Sequence, residues 1–374
     1  MRLAIDLEGE LGLITDVGLS DGTQSLSCQW SQSAKQLTAR LVKRADLILG
    51  HNIVGFDGPA LEMEGIPLPQ AKVADTMVAF ALLYPHNFKR LGASAPLCVP
   101  TEAWKHLDQS DPQLYNNKDS AILHPMWEYL EARLRKYGMW DLFWKIEMPF
   151  CWLTKRLEDQ GVWVGGHNMC ISYFPARKGK GPYSSLTGET AQRPQVGWPH
   201  RDAGIMAPPD QKLYFVRKPE LARLVVEALA GEKIQVTDSI IDMHIAGYGP
   251  VQIKRALGEE GPWTGIKRYT DEWDSSHKWF STWVDRIEKQ VSKSGYVVSP
   301  FGRRVWTRDG AAGRRFLVAS TVSDIWKQVA LRAKQVYVIF PDGLALLEPL
   351  SLKLELGEIS EGLVLEFKSK GRTK

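Results

Sequence analysis

The sequence predicts an α/β domain over residues 1–140, a mixed sheet flanked by helices, followed over 141–374 by a mostly helical region. Three observations predict this. The chain opens on an apolar strand, Arg2-Leu3-Ala4-Ile5-Asp6-Leu7-Glu8, that ends in two carboxylates two residues apart. Short strand-like runs then alternate with segments of helical spacing as far as about residue 135. From Trp127 onward long helical stretches, rich in Trp, take over.

In chain order, Leu11 to Leu19 and Ser25 to Trp30 read as strands joined by the turn Ser20-Asp21-Gly22-Thr23, an antiparallel meander. Lys35 to Ala45 has helical spacing. Asp46 to Gly50 is a buried strand that delivers His51-Asn52-Ile53-Val54-Gly55-Phe56-Asp57 to a loop, and a helix follows from Pro59 to Glu64. Val73 to Leu83 is an apolar segment opened by Asp75-Thr76 and closed by Tyr84-Pro85-His86, and Pro96 to Pro112 is a loop-rich connection. A helix starts at Asp111-Pro112 and runs through Tyr115, Asp119 and Leu123; Trp127 to Gly161 stays helical, with interruptions expected at Gly138 and Pro149.

Residues 165–210 are rich in Gly, Pro and Ser and read as an extended loop surface. Helices are expected at Pro219–Leu229, Val251–Leu257, Trp279–Ser292 and Thr321–Gln335. The third leads into Gly295-Tyr296-Val297-Val298 and the turn Pro300-Phe301-Gly302. The tail after Pro341 shows no convincing period, and the chain holds no internal repeat.

With 374 residues, 44% hydrophobic content and 14 Trp, the chain can bury substantial cores. A net charge of +4 permits nucleic-acid binding without arguing for it; the basic residues concentrate between Ser299 and Arg315. Cys28, Cys98, Cys151 and Cys170 are scattered, with no C-x-x-C pair and no His at zinc spacing, so reduced structural thiols and no zinc are expected. No run reaches the length of a membrane span, and the charged start running straight into a strand leaves no apolar leader. The expected location is therefore cytoplasmic and nucleoid-associated.

On a strand, residues i and i+2 share a face, so Asp6 and Glu8 lie side by side and repel unless a cation sits between them. Asp57 adds a third acid where a strand hands over to a helix, and Asp119 a fourth, one helical turn beyond Tyr115. Each residue alone has a plainer reading. Asp6 and Glu8 can be a solvated strand end, Asp57 a helix N-cap, Tyr115 core filling and His51 a structural hydrogen-bonding residue.

Together, D-x-E at Asp6 and Glu8, N-x-x-x-F-D from Asn52 to Asp57, and Y-x-x-x-D from Tyr115 to Asp119 resemble the DEDDy 3′-to-5′ exonucleases, whose fold is ribonuclease H-like. The resemblance implies two divalent ions, Mg²⁺ or Mn²⁺, that activate water and relieve charge on the leaving oxygen. Hard ions take oxygen ligands, in keeping with Asp and Glu. By the same resemblance Asp6 bridges both ions, Glu8 and Asp119 complete one site and Asp57 belongs to the second. Tyr115 orients the attacking water, while Asn52 and Phe56 contact the terminal nucleotide.

The second half resembles a family A DNA polymerase in pieces. Residues 183–192 are similar to its T-G-R loop, with Glu189 where arginine is usual. Asp242-Met243-His244 is similar to its D-x-H, Gly247-Tyr248-Gly249-Pro250 to its Y-G-x-G, and Tyr296 to Arg304 with Arg314 to Lys327 to its G-Y-V-x-T-x-x-G-R-R segment and the following helix. The D-x-S-x-x-E, R-x-x-x-K and H-D-E motifs are missing. Arg303, Arg304, Arg314 and Arg315 are the expected phosphate contacts, against the plainer reading of an exposed basic turn.

The expected activity is removal of nucleotides from a DNA 3′ end as 5′-monophosphates, in proofreading or end trimming during DNA replication, with polymerase activity in doubt. The alternatives are a family A polymerase with proofreading, an exoribonuclease of the same class, and a non-catalytic DNA-binding remnant.

Overall fold

The computed structural model describes residues 1–85, 87–164, 167–169, 205–206, 208, 211–217, 221–234, 238–258, 262–340, 343–361 and 363–371. They fall into two compact units. The first holds Met1–Gln160 and the second the described residues beyond it. The expected division at 140 thus falls inside the first unit.

The first unit is a mixed sheet flanked by helices. Strands β1 (Arg2–Glu10), β2 (Leu13–Ser20), β3 (Ser25–Gln29), β4 (Leu47–Gly50) and β5 (Val73–Asp75) are ordered β3-β2-β1-β4-β5. The meander β1-β2-β3 is antiparallel, while β4 lies parallel to β1 and β5 parallel to β4. Helix α1 (Gln32–Arg44), capped by the Ser31 hydroxyl, makes the crossover from β3 to β4. Leu3, Ala4, Ile5, Ile48, Leu49 and Val73 are almost wholly buried, as expected of strands covered on both faces.

The apolar segment from Val73 to Leu83 divides into β5 and helix α3 (Thr76–Leu83), with the Asp75 carboxylate capping the helix at the Met77 N–H. Between β4 and β5 lies α2 (Asp57–Met63), and after α3 comes α4 (Leu91–Cys98).

Helix α5 (Pro112–Lys136) starts where Asp111-Pro112 predicts, with the Asp111 carboxylate accepting from the Leu114 N–H. It packs across β1, β2, β3 and β4. Its close approach depends on Gly18 of β2, where an added Cβ would stand 1.9 Å from Asn116 Oδ1 and 2.7 Å from its backbone oxygen. His124 Nε2 bonds the Ser20 carbonyl at 3.0 Å and ties the same helix to the end of β2. Trp127 is fully buried and meets the rings of Trp140, Phe143 and Trp144 at 5.7–6.3 Å.

Pro149 does not interrupt the run that follows. It sits in the first turn of α6 (Met148–Gln160), and the irregular stretch is a π-helical turn at Phe143–Glu147 just before it. Trp152 of α6 reaches α2, where a Cβ on Gly58 would lie 3.1 Å from its ring.

In the second unit β6 (Val162–Val164) pairs with β7 (His167–Met169) and β8 (Ile205–Met206). A four-stranded antiparallel sheet is ordered β12 (Val336–Phe340), β13 (Gly343–Leu346), β9 (Tyr214–Arg217) and β16 (Lys370–Gly371). The unit also holds helices α7 (Leu221–Ala230), α8 (Ser239–Ile245), α9 (Pro250–Leu257), α10 (Thr264–Ser276), α11 (Lys278–Ser294) and α12 (Gly310–Arg332), with a hairpin of β10 (Tyr296–Val298) and β11 (Arg304–Trp306) packed on α11 and α12.

Two expectations are corrected. Helix α12 begins at Gly310 rather than Thr321, so Arg314 and Arg315 belong to its first turns. The tail forms a hairpin, β14 (Ser351–Glu355) with β15 (Val364–Lys368), and the unit is less helical than expected. The T-G-R-like residues 183–192 and Cys170 lie outside the described residues. Cys28, Cys98 and Cys151 form no disulfide, and no described helix is long and apolar enough to cross a membrane.

Candidate metal centre

Strand β1 loses its parallel neighbour before it ends. Pairing with β4 stops at Ala4 opposite Leu49, whereas pairing with β2 continues to Glu10. Asp6, Leu7 and Glu8 therefore lie beyond the last β4 pairing, on the stretch of β1 that is paired with β2 alone. A bulge between Glu8 and Gly9 bends the strand just there. Gly9 takes φ +121°, and a Cβ on it would fall 2.3 Å from the Leu13 carbonyl.

Asp57 fills the gap left by β4. As the first residue of α2 it accepts the Leu7 N–H at 2.8 Å, and Phe56, not Asp57, is the N-cap. The helix-cap reading of Asp57 does not hold; its carboxylate reaches across to β1. The loop that delivers it is built on a second buried acid, Asp75, which accepts the N–H groups of Asn52 at 2.9 Å, Val54 at 3.3 Å and Met77 at 2.9 Å. Asn52 holds φ +70° at the head of this loop. His51 bonds Thr76 Oγ1 at 2.9 Å and the Lys89 carbonyl at 2.5 Å, a structural bridge.

Asp119 enters from α5. Carboxylate oxygens of Asp6, Glu8 and Asp119 lie within 4.8 Å of one another, and Asp57 stands near enough to act on Asp6. Burial, followed by Asp57, Asp119 and Glu8, pushes the Asp6 carboxyl well above the usual range. Burial likewise raises Asp57 to about 7 against the relief of the Leu7 N–H, and it raises Asp75 to about 6. Glu8 is raised by burial and then by Asp119.

The residues sequence reasoning missed are Trp104 and Lys105, which sit in the stretch read as a loop-rich connection. A 3₁₀ turn at Lys105–Leu107 brings them under α5. Trp104, 2% exposed, donates its Nε1–H to Asp119 Oδ1 at 2.5 Å. Lys105 Nζ pairs with Asp119 Oδ2, donates to the Tyr115 hydroxyl at 2.9 Å and lies 4.3 Å from the Tyr115 ring centroid. Burial works against that ammonium, but Asp119 and Tyr115 outweigh it and raise its pKa. No signal ten to fifteen residues upstream of Tyr115 and Asp119 marks these contacts.

The donor set fits a hard divalent ion: three convergent carboxylates, a fourth close by, and an ammonium already standing in for a cation at Asp119. Asn52 and Phe56 lie half-buried on the loop leading to Asp57.

The arginines of the second unit divide. Arg303 is buried; its Nη2 and Nε meet the Asp324 carboxylate at 2.5 and 3.1 Å, and its backbone N–H bonds Ser299 Oγ. Arg314 is also buried, 5.1 Å from the Phe280 ring centroid. Both depart from the expected surface contacts, because each helps pack α12. Arg304 lies 3.9 Å from the Tyr296 ring centroid and Arg315 reaches Gln252 Oε1 at 3.4 Å, both half-exposed. His244 of the D-x-H triplet bonds Asp274 at 2.7 Å.

No protein-family model matches the sequence, and no curated protein matches it. Among solved structures, the chain is similar to the POL domain of Pol1 from M. smegmatis in complex with DNA primer-template and dNTP. The TM-score is 0.68 at 12% identity, over 92% of this chain and 88% of that one. At that identity the likeness is one of fold.

Proposed function

We propose that this chain is a metal-dependent 3′-to-5′ exonuclease of the DEDDy type, with a ribonuclease H-like first unit, that trims DNA ends to 5′-monophosphates. The observation that carries the reading is the meeting of Asp6, Glu8 and Asp119 where β1 runs on past its pairing with β4. Divalent ions held by these carboxylates and Asp57 would supply a nucleophilic hydroxide at neutral pH and a counter-charge for the leaving oxygen. The chain's own groups do the rest. Trp104 fixes the Asp119 carboxylate, the Leu7 N–H fixes Asp57, and the Tyr115 hydroxyl, one turn before Asp119, aligns the attacking water. Phe56 lies beside Asp57, where the terminal base would stack, and Asn52 opens the same loop.

DNA as the substrate is supported by the likeness to a polymerase domain that carries a DNA primer-template, and by Arg304, Arg308 and Arg315, which keep some exposure. The test is digestion of an end-labelled DNA strand, beside a matched RNA strand, by wild type and Asp6→Ala in Mg²⁺ or Mn²⁺. Wild type should shorten the DNA from its 3′ end and Asp6→Ala should be slower by at least roughly 100-fold. Equal degradation by both removes this site; faster RNA loss makes it an exoribonuclease; binding without cleavage leaves a DNA-binding remnant.

The same likeness favours a second reading, template-directed synthesis. Among the described residues, the carboxylate cluster fit for metal lies in the first unit. Extension of a primed template with dNTPs by the pure protein would establish synthesis, and its absence would leave the exonuclease reading alone.

A further inference from the structure

We propose that Lys105 is a built-in cation of the carboxylate cluster: its ammonium holds Asp119 and Tyr115 in place without metal, and it competes with a divalent ion for Asp119 Oδ2. The inference rests on the metal-binding reading above, and it assigns a role to a residue outside the four acids and the tyrosine.

Both oxygens of Asp119 are engaged, Oδ1 by the Trp104 indole and Oδ2 by the Lys105 ammonium. The two donors are adjacent in sequence and sit at one 3₁₀ turn, yet their surroundings differ. Trp104 is 2% exposed and fixed, while the Lys105 side chain is 37% exposed, on a flexible four-carbon stem. The indole is thus a permanent clamp on one oxygen, and the ammonium a removable partner on the other. A divalent ion on Asp119 Oδ2 would stand within a few ångströms of the Lys105 ammonium, so like-charge repulsion sets the two cations in competition and favours moving Nζ aside.

The same Nζ bonds the Tyr115 hydroxyl at 2.9 Å. Lys105 therefore keeps the phenol and the carboxylate in register, and its departure releases both together. Placing one positive charge among four carboxylates also offsets the repulsion that the empty cluster would otherwise carry. The Gly92 backbone abuts the Lys105 stem, with an added Cβ falling 2.8 Å from Lys105 Cγ, so the absence of a side chain at Gly92 makes room for that stem. Lys105 is a positioning residue here, since its contacts are to Asp119 and Tyr115.

The test uses the full chain as wild type, Lys105→Met, Lys105→Gln and Asp6→Ala. Mn²⁺ affinity is measured by titration calorimetry, and the melting temperature in EDTA and in Mn²⁺. If Lys105 competes, both Lys105 variants bind Mn²⁺ roughly threefold to tenfold more tightly than wild type, melt lower in EDTA and recover in Mn²⁺. A purely structural ion pair would lower the melting temperature in both conditions and leave affinity unchanged or weaker; that result overturns the proposal. Lys105→Gln keeps a donor to Tyr115 and serves if Lys105→Met fails to fold. Wild-type binding that Asp6→Ala abolishes, with no gain in the Lys105 variants, refutes the competition and leaves the metal site standing. Equal or absent binding in wild type and Asp6→Ala refutes both.

Discussion

The two units treat charge in opposite ways. In the first, Asp6, Glu8, Asp57 and Asp119 gather at a strand end with Lys105 supplying a single positive charge, and burial drives Asp6, Glu8 and Asp57 upward. In the second, the buried guanidinium of Arg303 is paired with the buried Asp324 carboxylate through two nitrogens, and the half-buried His244 ring bonds Asp274. Like charges held together repel unless a cation joins them, which is what the proposed metal site would supply, whereas a matched buried pair needs no ligand. Arginines that are close in sequence thus belong to different categories, while acids far apart in sequence belong to one.

The sharpest way to break the contrast is at the matched pair. Arg303→Ala should cost about 3–5 kcal/mol by denaturant unfolding, because it breaks the two-nitrogen pairing with the wholly buried Asp324 carboxylate. A loss within measurement error would return Arg303 to the surface. Next, Gly18→Ala should cost about 1–3 kcal/mol, since its Cβ forces α5 off the sheet. It should also weaken Mn²⁺ binding by carrying Asp119 away from Asp6, so a stable variant with unchanged affinity would show that the helix approach does not set the site.

The pH dependence of the metal-free protein sharpens the other side. Asp57 and Asp75, raised from 3.8 to about 7 and about 6, hold protons more firmly folded than unfolded. Their contribution is complete below pH 3.8 and is lost as pH rises through 6 to 7. These groups should therefore lower the melting temperature in EDTA over that window, and saturating Mg²⁺ should reverse the fall. A metal-free profile that rises from pH 4 to 7 contradicts the repulsive cluster. The smallest effect belongs to Arg304→Ala, which should change stability by about 0.5 kcal/mol or less and reduce the salt slope of DNA binding by about one.

Much of the first unit was legible. An apolar run ending in D-x-E announces β1, and Asp111-Pro112 announces α5, because both signals are local. That Asp119 would meet Asp6 was legible as a motif, but the means were not. Gly18 admits the helix and Trp104-Lys105 clamp the carboxylate, and those contacts cross from one element to another with no period to reveal them.

Asp75 reads as an ordinary helix cap, and its further work of holding the Asn52–Val54 loop depends on the fold of that loop. The burial of Arg303 hangs on a partner 21 residues later, invisible in a run of basic residues. The β14–β15 hairpin alternates, Leu352 and Leu354 against Lys353 and Glu355, but five such residues in a Leu, Glu and Lys context fit a helix equally well.

Crystals soaked in Mn²⁺ and measured for anomalous scattering address the metal centre itself. A peak within ligand distance of the Asp6 and Asp119 carboxylates, with the Lys105 ammonium moved off Asp119, is the predicted result. A soaked crystal with no peak there and the Lys105–Asp119 pair intact would contradict it.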